Sequence, residues 1–407
     1  MLRNIFFLFT FSAICSYAQN DKIEQIYNII DSANRSYLDQ NKNIDYLTPL
    51  NILITNKSLL NYAKDPSTQS YMEFLNTAYS YVHFNDSIID THQRVEIPKS
   101  IDVFDPIPFL AKEIGNKRVV MLNEAHSIPG HRLFAESMLK TLKEKGFEYL
   151  AVEALSWSDT LINQRGYPIS TTGYYSREPY FANFLRTAIK EGFTIIPYEQ
   201  QAHQVKTRGI NERETNQANN LIRVINKNHT TKIFVYAGYA HIQKKSEIED
   251  IKWMAERFKD STGIDPFTID QTKFTTSKKD KLGLINLNAS KDSITEVFKN
   301  TYDVAIVNSQ KENYQHLNLG KREVEIHLSN NYSNKKNPLI LQAYLVKEYK
   351  EFGNRAIPFD QKLLIGEVES TALYLMPNES YLFIIKDEGN HIILKKEIKV
   401  NGEVVKL

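Results

Sequence analysis

VVMLNEAHSIPGHR, residues 119–132, starts as an apolar run and turns polar within one loop, at Glu124, His126 and His131. Four apolar residues without alternation predict a strand buried on both faces, the signature of a parallel sheet. The same pattern recurs along the chain. RVVMLN (118–123), EYLAVE (148–153), FTIIPYE (193–199), KIFVYAG (232–238), PFTID (266–270) and YDVAIVN (302–308) are the predicted strands. Amphipathic stripes lie between them. Phe181, Phe184, Leu185, Ala188 and Ile189 share one face, as do Ala218, Leu221, Ile222 and Ile225, and Ile251, Met254, Ala255 and Phe258 repeat the spacing. Asn211 three before Glu214, and Ser246 three before Glu249, have capping-box spacing and predict helix starts. Strands alternating with such helices predict an α/β core over residues 101–320, a mostly parallel central sheet with helices on both faces.

The flanks read differently. Residues 19–100 are predicted to form a helical N-terminal cap, with Ile23, Ile26, Ile29 and Ile30 on one stripe and Leu59, Leu60 and Tyr62 on another. Residues 321–407 predict a small antiparallel β module. Val324, Ile326 and Leu328 alternate with polar neighbours, short runs follow at 339–346, 371–376, 381–386 and 391–400, and Glu388-Gly389-Asn390 and Asn401-Gly402 are hairpin-turn chemistry. At the start, Arg3 precedes an apolar run from Ile5 to Ile14, then Ser16 and Ala18. That run is too short to span a bilayer, and the small residues fit signal-peptidase cleavage, so residues 1–18 are expected to be an export signal and the mature chain periplasmic or extracellular. The single cysteine, Cys15, lies inside it. Bulky Ile14 before it disfavours a lipoprotein anchor. No later segment is apolar enough to cross a membrane. A formal charge of +2 without a basic cluster argues against nucleic-acid binding.

In parallel α/β sheets, ligands bind beyond the carboxyl ends of the strands. That rule gathers Asn123, Glu124, His126, Glu153, Glu199, His241 and Asp270 on one rim, each just after an apolar run. Carboxylates with imidazoles and no thiol suit two chemistries. Glu124, His126, Glu153 and His241 can hold a divalent metal that acidifies a water. Alternatively His126 or His241 acts as general base while a carboxylate fixes its tautomer. Arg213 sits in the first turn of a predicted helix, where the dipole disfavours a cation, so a site anion is its expected partner. His131 can face the site or water. The connection RGYPISTTGYYSREP (165–179) carries Tyr167, Tyr174 and Tyr175 and can serve as a lid or wall, favouring a substrate with apolar or sugar faces, or a flat macrocycle. His83, His92, His229 and His391 read as ordinary surface residues. The chain has no G-x-S-x-G elbow, H-E-x-x-H or phosphate-cradling glycine loop.

The core resembles the superfamily of erythromycin esterase-like hydrolases, ChaN-type haem-binding lipoproteins and Tiki-type peptidases. The resemblance rests on LNEAH (122–126), YLAVEA (149–154), NERETNQANN (211–220) and YAGYAHIQK (236–244), within residues 105–310. It implies site roles for Glu124, His126, Glu153, Arg213 and His241: water activation for ester cleavage, divalent-metal binding, or haem binding in iron acquisition. Asn123 stands where glycine is usual, and Glu124 and His126 are one residue apart, as in the ChaN-like pattern, whereas the esterases use two.

Two functions are expected ahead of a third, a catalytically inert envelope protein whose C-terminal β module recruits a partner. The first is an exported hydrolase acting on an ester or amide of a small molecule or peptide, with Glu124, His126, Glu153, Arg213 and His241 as site and His131, Tyr174, Tyr175 and Glu199 at the substrate. The second is a non-enzymatic binder with haem as ligand.

Overall fold

The computed structural model describes residues 17–407 apart from 61–65, 85–86, 89–93, 99, 277–281, 310–316, 318 and 330–336. Residues 1–16 of the expected export signal, with Cys15, lie outside the described residues, as does His92. Eight strands form the central sheet, in the order β4 (Thr194–Pro197), β3 (Tyr149–Val152), β5 (Ile233–Gly238), β2 (Val119–Glu124), β6 (Phe267–Thr276), β8 (Val304–Ser309) and β7 (Gly283–Asn286), with β1 (Val95–Glu96) also on β6. All pairs are parallel except β7 with β8. The apolar runs found six of these strands. The short β1 and the edge strand β7 are additions.

Side chains alternate across the sheet, and two cores result. Val120, Leu122, Leu150, Val152, Phe234 and Tyr236 face α5 (Pro129–Glu144) and α7 (Pro179–Lys190). Val119, Met121, Ala151, Ile233, Val235 and Ala237 face α8 (Ile210–Ile225) and α9 (Met254–Thr262). Neither expected capping box forms. Helix α8 starts two residues earlier than expected, with Gly209 and not Asn211 at its N-cap, while the Asn211 amide donates to the Asp250 carbonyl at 2.7 Å. Ser246 lies outside any helix because its hydroxyl accepts the Ile248 N–H in a local turn, and α9 begins only at Met254.

The helical region holds α1 (Tyr17–Ser36), α2 (Leu47–Asn56) and α3 (Pro66–Tyr81). Its core includes Ala182 of α7 and Ile340, Ile357 and Leu363 from the C-terminal region, so it packs on both neighbours. The C-terminal region carries two sheets. The first is antiparallel: β11 (Asp360–Leu364), β10 (Leu339–Leu345), β13 (Ser380–Lys386) and β14 (Ile392–Lys399). The second is β12 (Ser370–Leu375), β9 (Arg322–His327) and β15 (Val404–Lys406), in which β15 runs parallel to β9. Leu363 N–H on the Val82 carbonyl (2.9 Å) and the Gln361 amide on the Tyr81 carbonyl (2.6 Å) fasten β11 to the end of α3.

Asp270 does not end its strand. β6 continues through a bulge to Thr276, and the Asp270 carboxylate accepts from Thr272 N–H (3.1 Å) and Lys273 N–H (2.9 Å) to shape that bulge. Asn123 ties β2 to it. Its amide donates to Asp270 (2.7 Å) and the Tyr239 carbonyl (2.8 Å), and its oxygen accepts Gln271 N–H (2.7 Å). Asn123→Ala takes these bonds from Asp270 and Gln271, both fully buried, and each unsatisfied group costs about 1–3 kcal/mol. Urea unfolding of that variant should show a loss of at least that size; a midpoint equal to the wild type contradicts the assignment.

Candidate active site

Strand parity decides where the rim carboxylates go. Glu124 continues the face of Val120 and Leu122, towards α5 and α7. Glu153 continues the face of Ala151, towards α8. Each carboxylate then meets an arginine on the helix it faces.

On the first side, Arg132 of α5 donates through Nε and a terminal nitrogen to Glu124 at 2.9 and 3.2 Å, and to the His126 carbonyl at 2.7 Å. Tyr236 O–H adds a bond of 2.6 Å to Glu124, and His126 Nδ1 lies 2.9 Å from it. Burial pushes the Glu124 carboxyl up, but Arg132 and then His126 more than reverse this and hold it lowered to about 2. An ionised Glu124 accepts Nδ1–H, which leaves the lone pair on Nε2. Among the described residues, His126 Nε2 has no hydrogen-bond partner. The imidazole stacks on Tyr175 at 3.9 Å and meets Tyr239 edge-on at 4.9 Å.

On the second side, Glu153 accepts from Arg213 (2.6 Å) and from Gly238 N–H (2.5 Å), and lies 3.2 Å from His241 Nε2. Arg213 also grips Glu199 with two bonds, of 2.9 and 2.6 Å, so its expected anion partner is present twice over. His241 Nδ1 is 2.8 Å from Glu214 of α8. Burial pulls the His241 imidazole down, but the carboxylates of Glu153 and Glu214 overcome it and raise it to about 10. The raised value favours the imidazolium at neutral pH, against the Arg213 guanidinium, whose Nη1 also lies 3.2 Å from Nε2. Burial likewise opposes ionisation of Glu153, and His241 with Arg213 lowers it well below the usual carboxylate range.

The two sides meet at Gly238. A Cβ there would sit 2.5 Å from His126 Cε1, 2.6 Å from its Nε2 and 3.2 Å from Glu153 Oε2. Glycine is required by this close approach, since its φ of −82° is open to any residue. The next residue, Tyr239, does take a left-handed φ of 38°. Its hydroxyl accepts His126 N–H at 3.3 Å and donates to Glu73 of α3. The helical region thus adds a carboxylate to the rim.

Other expected site residues fall elsewhere. His131 is fully buried, its Nδ1 accepting Ala125 N–H at 3.0 Å, so it braces the loop and does not reach a substrate. Tyr174 turns away, its hydroxyl on Asn34 at 2.7 Å. Tyr175 does cover His126, and Glu199 lies half-buried beside Arg213. The long connection is anchored: Tyr167 O–H donates to Glu351 at 2.5 Å and Ser170 N–H to the Arg355 carbonyl at 2.9 Å. His83 is corrected from surface to interior; it is 4% exposed. Sequence reasoning also missed Arg132, Glu178, Glu214, Tyr236, Tyr239 and Glu73. Arg132 and Glu214 had a readable signal, a charge at i, i+3 or i+4 spacing with apolar residues of a buried stripe (Ala135 and Ala218). His83 and Glu73 had none.

The donor set does not fit a metal. Arg132, Tyr236 and His126 take the Glu124 oxygens, Arg213, Gly238 and His241 take those of Glu153, and both His241 nitrogens face carboxylates. Among the described residues, no three histidine or acidic side chains form a group that could hold a metal ion. For haem the rim offers one imidazole nitrogen, His126 Nε2, which lies beside the Gly238 backbone and Glu153.

No family model matches the chain, and no curated protein matches it. Among solved structures it is similar to the type III effector HopBA1, at 13% identity and TM-score 0.32, covering 52% of this chain and 98% of that one. It is also similar to RRSP, a MARTX toxin effector domain from Vibrio vulnificus CMCP6, at 12% identity and TM-score 0.32, covering 61% of this chain and 62% of that one. At this TM-score neither likeness bears on function.

Two outcomes follow from the geometry. His241 is raised on folding, so its contribution to stability is complete below its unfolded value near 6.5 and is lost as pH rises through about 10. The Tm of the wild type should fall between pH 7 and 10.5 more steeply than that of His241→Gln; parallel curves contradict the imidazolium. Gly238→Ala forces the His126 ring off the Gly238 backbone and should lower Tm, with an overpacking cost of about 1–3 kcal/mol.

Proposed function

We propose that the protein is an exported hydrolase of the erythromycin esterase-like, ChaN-like and Tiki-type superfamily, cleaving an ester or amide by water activation without a metal. The observation that carries this reading is the Glu124–His126 pair, in which an ionised carboxylate holds Nδ1–H at 2.9 Å and Nε2 is left without a partner among the described residues. That is the arrangement of an oriented general base.

In the proposed reaction, His126 Nε2 removes a proton from water as its oxygen attacks the substrate carbonyl. Negative charge builds on the carbonyl oxygen, and Arg213, its side chain 27% exposed, supplies the cation with the His241 imidazolium behind it. The His126 imidazolium then returns the proton to the departing oxygen or nitrogen, yielding an acid and an alcohol or amine. Glu124 stays ionised throughout because Arg132 holds its charge. Tyr175, stacked on the base, limits rotation of the ring.

A panel of esters and peptides tests this. With a substrate found, His126→Asn should lower kcat/KM by about 10²–10⁴-fold, the usual worth of a general base, with Tm near the wild type. Treatment with a chelator should leave turnover unchanged. Activity that survives His126→Asn, or that disappears with EDTA and returns with a divalent ion, removes the proposal.

A further inference from the structure

A buried line of alternating charge leads away from the Glu124–His126 pair and ends in the C-terminal region. Arg132 gives its remaining nitrogen to Glu178 at 2.9 Å. Glu178 is the N-cap of α7, accepting Tyr180 N–H (2.9 Å) and Phe181 N–H (2.7 Å), and its Oε1 lies 2.8 Å from His83 Nε2. His83, just beyond α3 with a left-handed φ of 50°, places Nδ1 2.7 Å from Asp360 of β11. Asp360 in turn accepts Gln361 N–H at 2.8 Å and Tyr374 N–H at 2.6 Å. None of Glu124, Arg132, Glu178, His83 and Asp360 is more than 4% exposed.

We infer that Asp360, His83 and Glu178 are positioning residues for His126, acting through Arg132, so that the helical and C-terminal regions are parts of the site. This rests on the hydrolase reading for its kinetic consequence only. Arg132 is the point of transmission, because one guanidinium holds the Glu124 carboxylate, the His126 carbonyl and Glu178 together. A planar group bonded on three sides has one orientation, and losing the Glu178 side frees it to turn. Glu124 then turns with it, and Nδ1–H of His126 loses its fixed acceptor. A chain kept for stability alone has no need of charge here, since buried ion pairs are commonly no more stable than apolar packing.

The groups facing His83 are Asp360, Glu178 and Tyr180, whose ring centroid is 4.2 Å away. Those around His126 are Glu124, Arg132, Tyr175, Tyr239 with Glu73 behind it, and Glu153. Burial pulls His83 down, but Asp360 and then Glu178 raise it to about 9, so it carries positive charge between two carboxylates at neutral pH. No residue of the line beyond Arg132 touches the substrate region, which is why its effect must be read at His126.

The test uses the full chain labelled with ¹⁵N-histidine, the His126 signals being assigned by their loss in His126→Asn. In the wild type, NMR should report one tautomer, Nδ1–H. In His83→Gln, Glu178→Gln and Asp360→Asn, the expected result is a mixture of tautomers while circular dichroism is unchanged. On any substrate found, kcat should fall about tenfold or more with KM within about twofold, the mark of lost orientation rather than lost binding. Glu178→Gln keeps a capping oxygen on α7 and decides the matter if His83→Gln does not fold. Folded variants with wild-type His126 signals overturn the inference. If the wild type hydrolyses nothing, the hydrolase reading falls, and the NMR result still decides this one.

Discussion

A carboxylate carried inside at the end of a parallel strand must meet a cation there, or lose its charge. Removing one partner from a buried pair costs about 3–5 kcal/mol, a large part of the stability of an ordinary domain. This requirement is met twice at the rim, by Arg132 for Glu124 and by Arg213 for Glu153. Both arginines come from the first turn of a helix, the end where the dipole repels a cation, so the carboxylates also offset that cost. The positions of α5 and α8 are therefore bound to the rim by charge as well as by their apolar stripes.

Compensation also separates the roles of two histidines. His241 lies between two carboxylates and is held as a cation. His126 contacts one carboxylate, which already belongs to an arginine, and keeps Nε2 without a hydrogen-bond partner among the described residues. The same residue type becomes a fixed charge or a proposed proton carrier according to its neighbours. Only the missing side chain of Gly238 lets these two assemblies touch.

The terminal regions belong to this arrangement. The helical region contributes Glu73 and His83, the C-terminal sheet contributes Asp360, and the tyrosines of the long connection dock on both. A charge network buried under three regions of chain ties their positions together, because parting any one of them strands a buried charge.

Much of the core was legible from local pattern. Continuous apolar runs marked six strands, i, i+3, i+4 stripes marked α7 and α8, the carboxyl-end rule brought Glu124, His126, Glu153, Glu199 and His241 to one rim, and the cost of a cation in a helix first turn pointed Arg213 to a site anion. These follow from the sequence by itself because burial and side-chain period are properties of neighbours in the chain. Tertiary structure alone decided the partners. It sent Glu124 and Glu153 to opposite faces, sealed His131 in the interior, gave Asp270 to a bulge, and joined His83 to Glu178 across 95 residues and to Asp360 from the far end of the chain. The physical reason is that a side chain's charge state depends on what lies within a few ångströms in space, and the pairings that set it link residues with no regular spacing to betray them.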